Sequence, residues 1–123
     1  MLPRLIVIAL LVLAASPAEA QVDPFHTVRG KWLEPSDLAL LGAAAEHLLD
    51  AQVPAIGAVE KWSNAETGAA GSVAYLGPTT SVVQGKRQAC RKLHYEASVK
   101  GRPEERRINL EWCRQPDGNW MSR

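Results

Sequence analysis

Residues 87–99, RQACRKLHYEASV, and 106–114, RRINLEWCR, alternate apolar with polar side chains on either side of Gly101-Arg102. A period of two marks a half-buried strand, so the two runs predict an antiparallel hairpin. Leu93, Tyr95, Ala97 and Val99 share one face of the first strand, and Cys90, Lys92, His94 and Glu96 the other. Across the turn, Ile108, Leu110 and Trp112 face one way, and Arg107, Asn109, Glu111 and Cys113 the other. A two-residue turn with Gly101 first, as a type II′ turn requires, sets Lys100 against Pro103. The partners' numbers then sum to 203, which brings Cys90 opposite Cys113, Tyr95 opposite Ile108, Leu93 opposite Leu110, Lys92 opposite Glu111 and Glu96 opposite Arg107. Apolar meets apolar and opposite charges meet, an agreement that a slip of one residue would destroy. Counted outward from that turn, the cysteines form a hydrogen-bonded pair, still within disulfide reach.

Cys90 and Cys113 are the chain's two cysteines. An even number in a small exported chain argues for a disulfide rather than a metal site or a redox motif. The closed loop is worth about 3 kcal/mol in the chain-entropy model. Export is read from residues 1–20, where Arg4 precedes an apolar run from Leu5 to Ala15, followed by Ser16-Pro17 and the small residues Ala18 and Ala20. This is the pattern of a cleavable signal peptide, cut before Gln21, and the apolar run is shorter than the ~20 residues of a spanning helix. Glutamine at position 21 has no thiol to acylate, so a lipid anchor is not expected there.

The mature chain is the size of one domain. Residues 21–35 lack a sustained period and are expected to form a flexible lead-in. Pro35-Ser36-Asp37 opens a helix with Ser36 as N-cap, and Leu38, Leu41, Ala45, Leu48 and Leu49 form its apolar stripe. Gln52-Val53-Pro54 ends it. Strands are expected at Gly57–Trp62, at Ser72–Leu76 with a continuation through Val83, and in the final hairpin, with Met121 beyond a turn at Gln115-Pro116-Asp117-Gly118. The fold class is therefore α+β: one N-terminal amphipathic helix on a four- to five-stranded antiparallel β-meander, over residues 36–123.

Charge is polarised along the chain. Residues 21–85 hold three basic against seven acidic side chains, net −4, whereas residues 86–123 hold ten against five, net +5. Packing the two segments together neutralises part of that asymmetry. No nucleic-acid partner is expected. His26, His47 and His94 lack metal-ligand spacing, no nucleophile elbow is present, and the glycines at 68 and 71 lack the lysine and helix of a phosphate cradle. No catalytic residue, metal or cofactor is assigned.

Three elements in order, WSNAETGAAGSV at 62–73, Cys90-Arg91, and CRQPDGNW at 113–120, resemble the C-terminal domain of the 17 kDa surface antigen family of bacterial outer-membrane proteins. The resemblance runs from about Ser36 to Trp120. It implies a cell-envelope protein without enzymatic activity, in a structural or binding role. Many members carry a lipid-attachment cysteine and a glycine-rich membrane-associating segment before this domain, and this chain shows neither, so a periplasmic or outer-membrane-associated, unanchored protein is expected.

Arg91 and Arg114 fall on the face that carries Trp112, near the open end of the hairpin and close to Trp120. An arginine on an apolar face requires a partner: stacking plus a helix carboxylate such as Glu46 or Asp50, or a bound anion or carboxylate flanked by Trp62, Trp112 and Trp120. Peptidoglycan, an anionic lipid or an outer-membrane protein would supply one. The alternative function is a periplasmic inhibitor or sensor that docks a protein through the loops Trp62–Gly71 and Asp117–Trp120.

Overall fold

Helix α1 starts from a reciprocal cap that reaches one residue earlier than Ser36. In the computed structural model, which describes residues 22–25 and 32–123, α1 spans Pro35–Asp50 with Glu34 as its N-cap. The Glu34 carboxylate accepts from the backbone of Asp37, and the Asp37 carboxylate accepts from the Glu34 backbone N–H at 2.9 Å. Two orphan donors of the first turn are thereby satisfied, and Pro35 occupies a first-turn position where its missing N–H costs nothing. Ser36 is thus not the cap; its hydroxyl accepts instead from Asn64 Nδ2 at 3.0 Å. The signal-like segment 1–20 lies outside the described residues.

The strands are β1 (Val59–Asn64), β2 (Ala69–Val83), β3 (Lys86–Val99), β4 (Glu105–Arg114) and β5 (Trp120–Ser122). They form one antiparallel sheet in the order β1-β2-β3-β4-β5, a meander of five strands. The α+β class holds, with the helix starting well inside the chain rather than at its beginning. α1 packs on β1 and β2, burying Leu41, Ala44, Ala45, Leu48 and Leu49 against Trp62, Val73, Tyr75, Leu93 and Tyr95. Phe25, Trp32 and Leu33 are buried in the same core. Within the lead-in 21–35 three large apolar side chains thus leave water, and Pro35 belongs to the helix. Arg106 closes over Trp32, its guanidinium 4.5 Å from the ring centroid.

The β3–β4 register is the one the alternation predicts, from Cys90↔Cys113 through Ser98↔Glu105. The turn is not. Arg102 N–H donates to Val99 O at 3.0 Å with Gly101 in the third position at φ 82°, so the tight turn lies at Val99–Arg102, and residues 100–104 join the strands. Lys100 does not pair with Pro103; its N–H donates to Gly68 O at 2.9 Å and ties this loop to the β1–β2 turn. Counting from a two-residue turn then fails, and the cysteine Cα atoms stand 4.0 Å apart, the spacing of a narrow, non-hydrogen-bonded pair. The Cys90–Cys113 disulfide is formed, and both cysteines are buried.

β2 is a single long strand bent at a bulge between Tyr75 and Gly77, where Leu76 is the extra residue. Pro78 comes next, beyond the last residue that pairs with β1. From Thr79 onward β2 pairs with β3 alone, and Gln84 and Gly85, at φ 51° and 77°, close the two strands in a two-residue turn. Residues 80–89 thus form a two-stranded arm extending past the bulge.

Candidate binding groove at the helix C-terminus

The last carbonyls of α1 have no partner within the helix, and a cation there also meets the negative end of its dipole. Arg91 supplies it. Its Nη1 donates to the carbonyls of Leu48, Leu49 and Ala51 at 2.8, 2.8 and 2.7 Å, and Nη2 donates to Gln52 O at 3.1 Å. The guanidinium lies between the Tyr75 ring at 5.9 Å and the Trp120 ring at 5.2 Å. Its partners are therefore backbone carbonyls and two aromatic faces, rather than the carboxylate of Glu46 or Asp50. Arg114 approaches the Trp120 ring, 5.8 Å from the centroid, and keeps an exposed side chain.

Arg91, Arg114 and Trp120 floor a groove of about 310 Å³. Val53 and Pro54 of the post-helix loop, and Pro78 and Ala89 at the base of the arm, also line it. A more polar recess of about 330 Å³ adjoins it, where Asp50 and Gly118 join the same two arginines and Trp120.

The structure does not bring Trp62 or Trp112 into this groove. Trp112 lies on the predicted face, but its Nε1 donates to Tyr95 Oη at 2.8 Å, and burial pushes the Tyr95 phenol up to about 12. It belongs to the edge of the core. Trp62 is buried in the β1–β2 pair opposite Gly71, where a Cβ would stand 2.9 Å from the indole and 2.1 Å from Glu96 O. Gly71 is required by this close approach.

The stretch 62–71 has another task that composition alone does not show. Asp37 is buried, and its Oδ1 accepts from Asn64 Nδ2 at 2.8 Å and from Thr67 Oγ1 at 2.5 Å. The β1–β2 turn is thus bolted to the first turn of α1, as Arg91 bolts the last. The spacing Glu34-x-x-Asp37 was the available signal for the cap, whereas the link to Asn64 and Thr67 spans about 30 positions and has no local signature.

The outward face of β3 and β4 carries a second polar set. His94 Nδ1 donates to Asn109 Oδ1 at 2.6 Å, and Nε2 lies 3.0 Å from Glu96, which also pairs with Arg107 at 3.4 Å. The hydrogen bond to Asn109, then that to Glu96, raises the His94 pKa, and the bond from His94 lowers that of Glu96. Glu111 accepts from Ser81 and Thr79, which hold its carboxyl below the usual range. The Glu111 carboxylate and both cysteine sulfurs lie within 4.8 Å of one another, with the sulfurs committed to the disulfide. His47 lies 3.7 Å from Glu60 on the surface, and His26 falls outside the described residues.

No family model matches the chain, and neither a curated protein nor a solved structure matches it.

Proposed function

We propose that this chain is an exported cell-envelope protein with a non-catalytic structural or binding role, as its resemblance to the 17 kDa surface antigen domain implies. The observation that carries the reading is the Cys90–Cys113 bond: a formed, buried disulfide in a small domain suits an oxidising compartment, and it lies downstream of a signal-like N-terminus. No helix among the described residues is long and apolar enough to cross a membrane. The groove floored by Arg91, Arg114 and Trp120 is the surface assigned to binding. Arg114 is its available cation, since Arg91 is engaged by four carbonyls.

The competing role as a protein-docking inhibitor or sensor relies on two loops. Trp62 and Asn64 are buried and Thr67 is bonded to Asp37, which leaves Asp117–Trp120, beside the groove, as the more accessible one. Fractionation of the native cell with intact-mass measurement tests the envelope reading. An unanchored species beginning at Gln21, two mass units below its reduced form, supports it; a cytoplasmic dithiol species with residues 1–20 retained overturns it.

A further inference from the structure

The three most exposed large apolar side chains among the described residues lie on the post-helix loop and the arm, ahead of Met121 at 57% on β5 and Val59 at 52% on β1. Val53 is 91% and Ile56 71% exposed on the post-helix loop, Val82 is 62% exposed on the arm, and Leu76 stands at the β2 bulge. The loop and the bulge are continuous: Ile56 Cδ1 lies 3.7 Å from the point where a Gly77 Cβ would stand, and Gly57 N–H donates to Tyr75 O at 2.8 Å. Isolated apolar residues on a surface need no explanation, but the loop that carries Val53 and Ile56 meets the β2 bulge from which the arm carrying Val82 extends, so the three stand on adjoining elements. Val53 lines the groove at its edge, whereas Ile56, Leu76 and Val82 lie outside its lining, an arrangement suited to insertion into an apolar medium rather than enclosure of a small molecule.

The flanking charge is cationic. Lys86 and Arg87 at the arm tip and Arg114 on the groove floor are exposed, and the ion pairs of the described residues join His47, His94, Arg106 and Arg107 to carboxylates instead. Asp50 is the carboxylate on the recess rim, beside the two arginines.

We infer that this end of the molecule docks on an anionic lipid surface, with Val53, Ile56 and Val82 entering the interfacial region and Lys86, Arg87 and Arg114 meeting headgroup phosphates. The inference deepens the envelope reading and rests on it for access to such a surface. Apolar insertion and attraction to anionic headgroups add together in interfacial binding, and neither alone gives a salt-sensitive, insertion-dependent contact.

The test is co-sedimentation of the protein, purified from the cells that make it, with vesicles of phosphatidylcholine alone or mixed with phosphatidylglycerol. The protein is expected to sediment with the anionic vesicles and to be released by salt. Val53→Ser/Ile56→Ser should weaken binding by about tenfold, from the loss of two partly inserted side chains. Lys86→Gln/Arg87→Gln/Arg114→Gln should weaken it by about 100-fold, from three surface cations. Val82→Ser should weaken it less than the double replacement on the loop. Every substituted position is exposed, so far-ultraviolet spectra and melting curves check that the variants remain folded. Equal binding to both vesicle types, undiminished binding by both multiple variants, or no sedimentation overturns the inference. A periplasmic protein that ignores vesicles but purifies with a soluble partner overturns lipid docking alone, whereas cytoplasmic retention overturns the envelope reading independently of the vesicle result.

Discussion

Replacing Arg91 by methionine keeps an apolar stem between Tyr75 and Trp120 and removes the guanidinium from the end of α1. The wild-type group makes four contacts, three of them from Nη1 to the carbonyls of Leu48, Leu49 and Ala51. Charge-assisted bonds contribute about 1.5–3 kcal/mol each, but three acceptors share one nitrogen with two hydrogens, and helix-end carbonyls regain water once it leaves, so the set counts as about one strong bond. The cation at the negative helix end adds about 0.3–1 kcal/mol. Stacking on two rings adds about 0.5–1 kcal/mol. Arg91→Met should thus destabilise by about 3 kcal/mol, and at about 4–8 °C per kcal/mol for a domain of this size the melting temperature falls by roughly 15 °C. Arg114→Met, which loses only an exposed contact with Trp120, should cost about 1 kcal/mol or less. Urea denaturation of the oxidised protein compares the two at constant m-value. An Arg91 variant no less stable than the Arg114 variant would refute the capping role and return the guanidinium to the groove as a free ligand-binding group.

Replacing both cysteines by serine should lower stability by about 3 kcal/mol while the far-ultraviolet spectrum at low temperature stays folded; an unchanged melting temperature would remove the bond from the energetics. Gly71→Ala should destabilise by about 3 kcal/mol or more, because the new methyl meets Glu96 O and the Trp62 indole, whereas Gly42→Ala, with open space at its helical position, should stabilise by up to about 1 kcal/mol in the same denaturation assay. The Glu111 pKa is lowered from 4.5, so its contribution to stability is present above pH 4.5 and lost as pH falls through the folded value. Thr79→Ala/Ser81→Ala should bring the carboxyl titration, followed by NMR, back toward 4.5. The His94 pKa is raised from 6.5, so its contribution is complete below pH 6.5 and lost as pH rises through the folded value; Asn109→Ala should lower that midpoint in an imidazole proton titration.

The hairpin was legible because a period of two, opposite charges and one cysteine pair all select the same register, and the structure has it at every position from Cys90↔Cys113 to Ser98↔Glu105. The turn that closes it was not, because Gly101 satisfies the left-handed demand of more than one turn type, and the choice depends on Lys100 reaching Gly68 O in a different part of the chain. The helix stripe was legible from its period, but the cap needed recognition that glutamate and aspartate form the same reciprocal pair as serine and glutamate. Phe25, Trp32 and Leu33 were missed for a different reason: they belong to no repeat, and their burial depends on a core assembled by residues 37–97. For the candidate site, alternation placed Arg91 and Arg114 on one face and Trp120 beside them, but it could not show that Arg91 turns toward backbone carbonyls, which leave no trace in side-chain sequence.

Residues of the stretches 62–73 and 90–91 hold α1 in place from both ends. Asn64 and Thr67 of the first stretch reach Asp37 in the first turn, and Arg91 of the second reaches the carbonyls of the last. A helix held at both ends by long-range polar contacts on a sheet closed by a disulfide has little freedom to shift, so its C-terminal loop is presented from a fixed base. Val53 and Ile56 on that loop, and Val82 on the arm that β2 forms with the disulfide-bearing β3, then project from these supports. Side chains so presented lose less conformational freedom on docking than those of a mobile loop, which lowers the entropic cost of engaging a surface. If the proposed lipid docking holds, loosening Arg91 should weaken it even though its guanidinium is directed at the helix carbonyls.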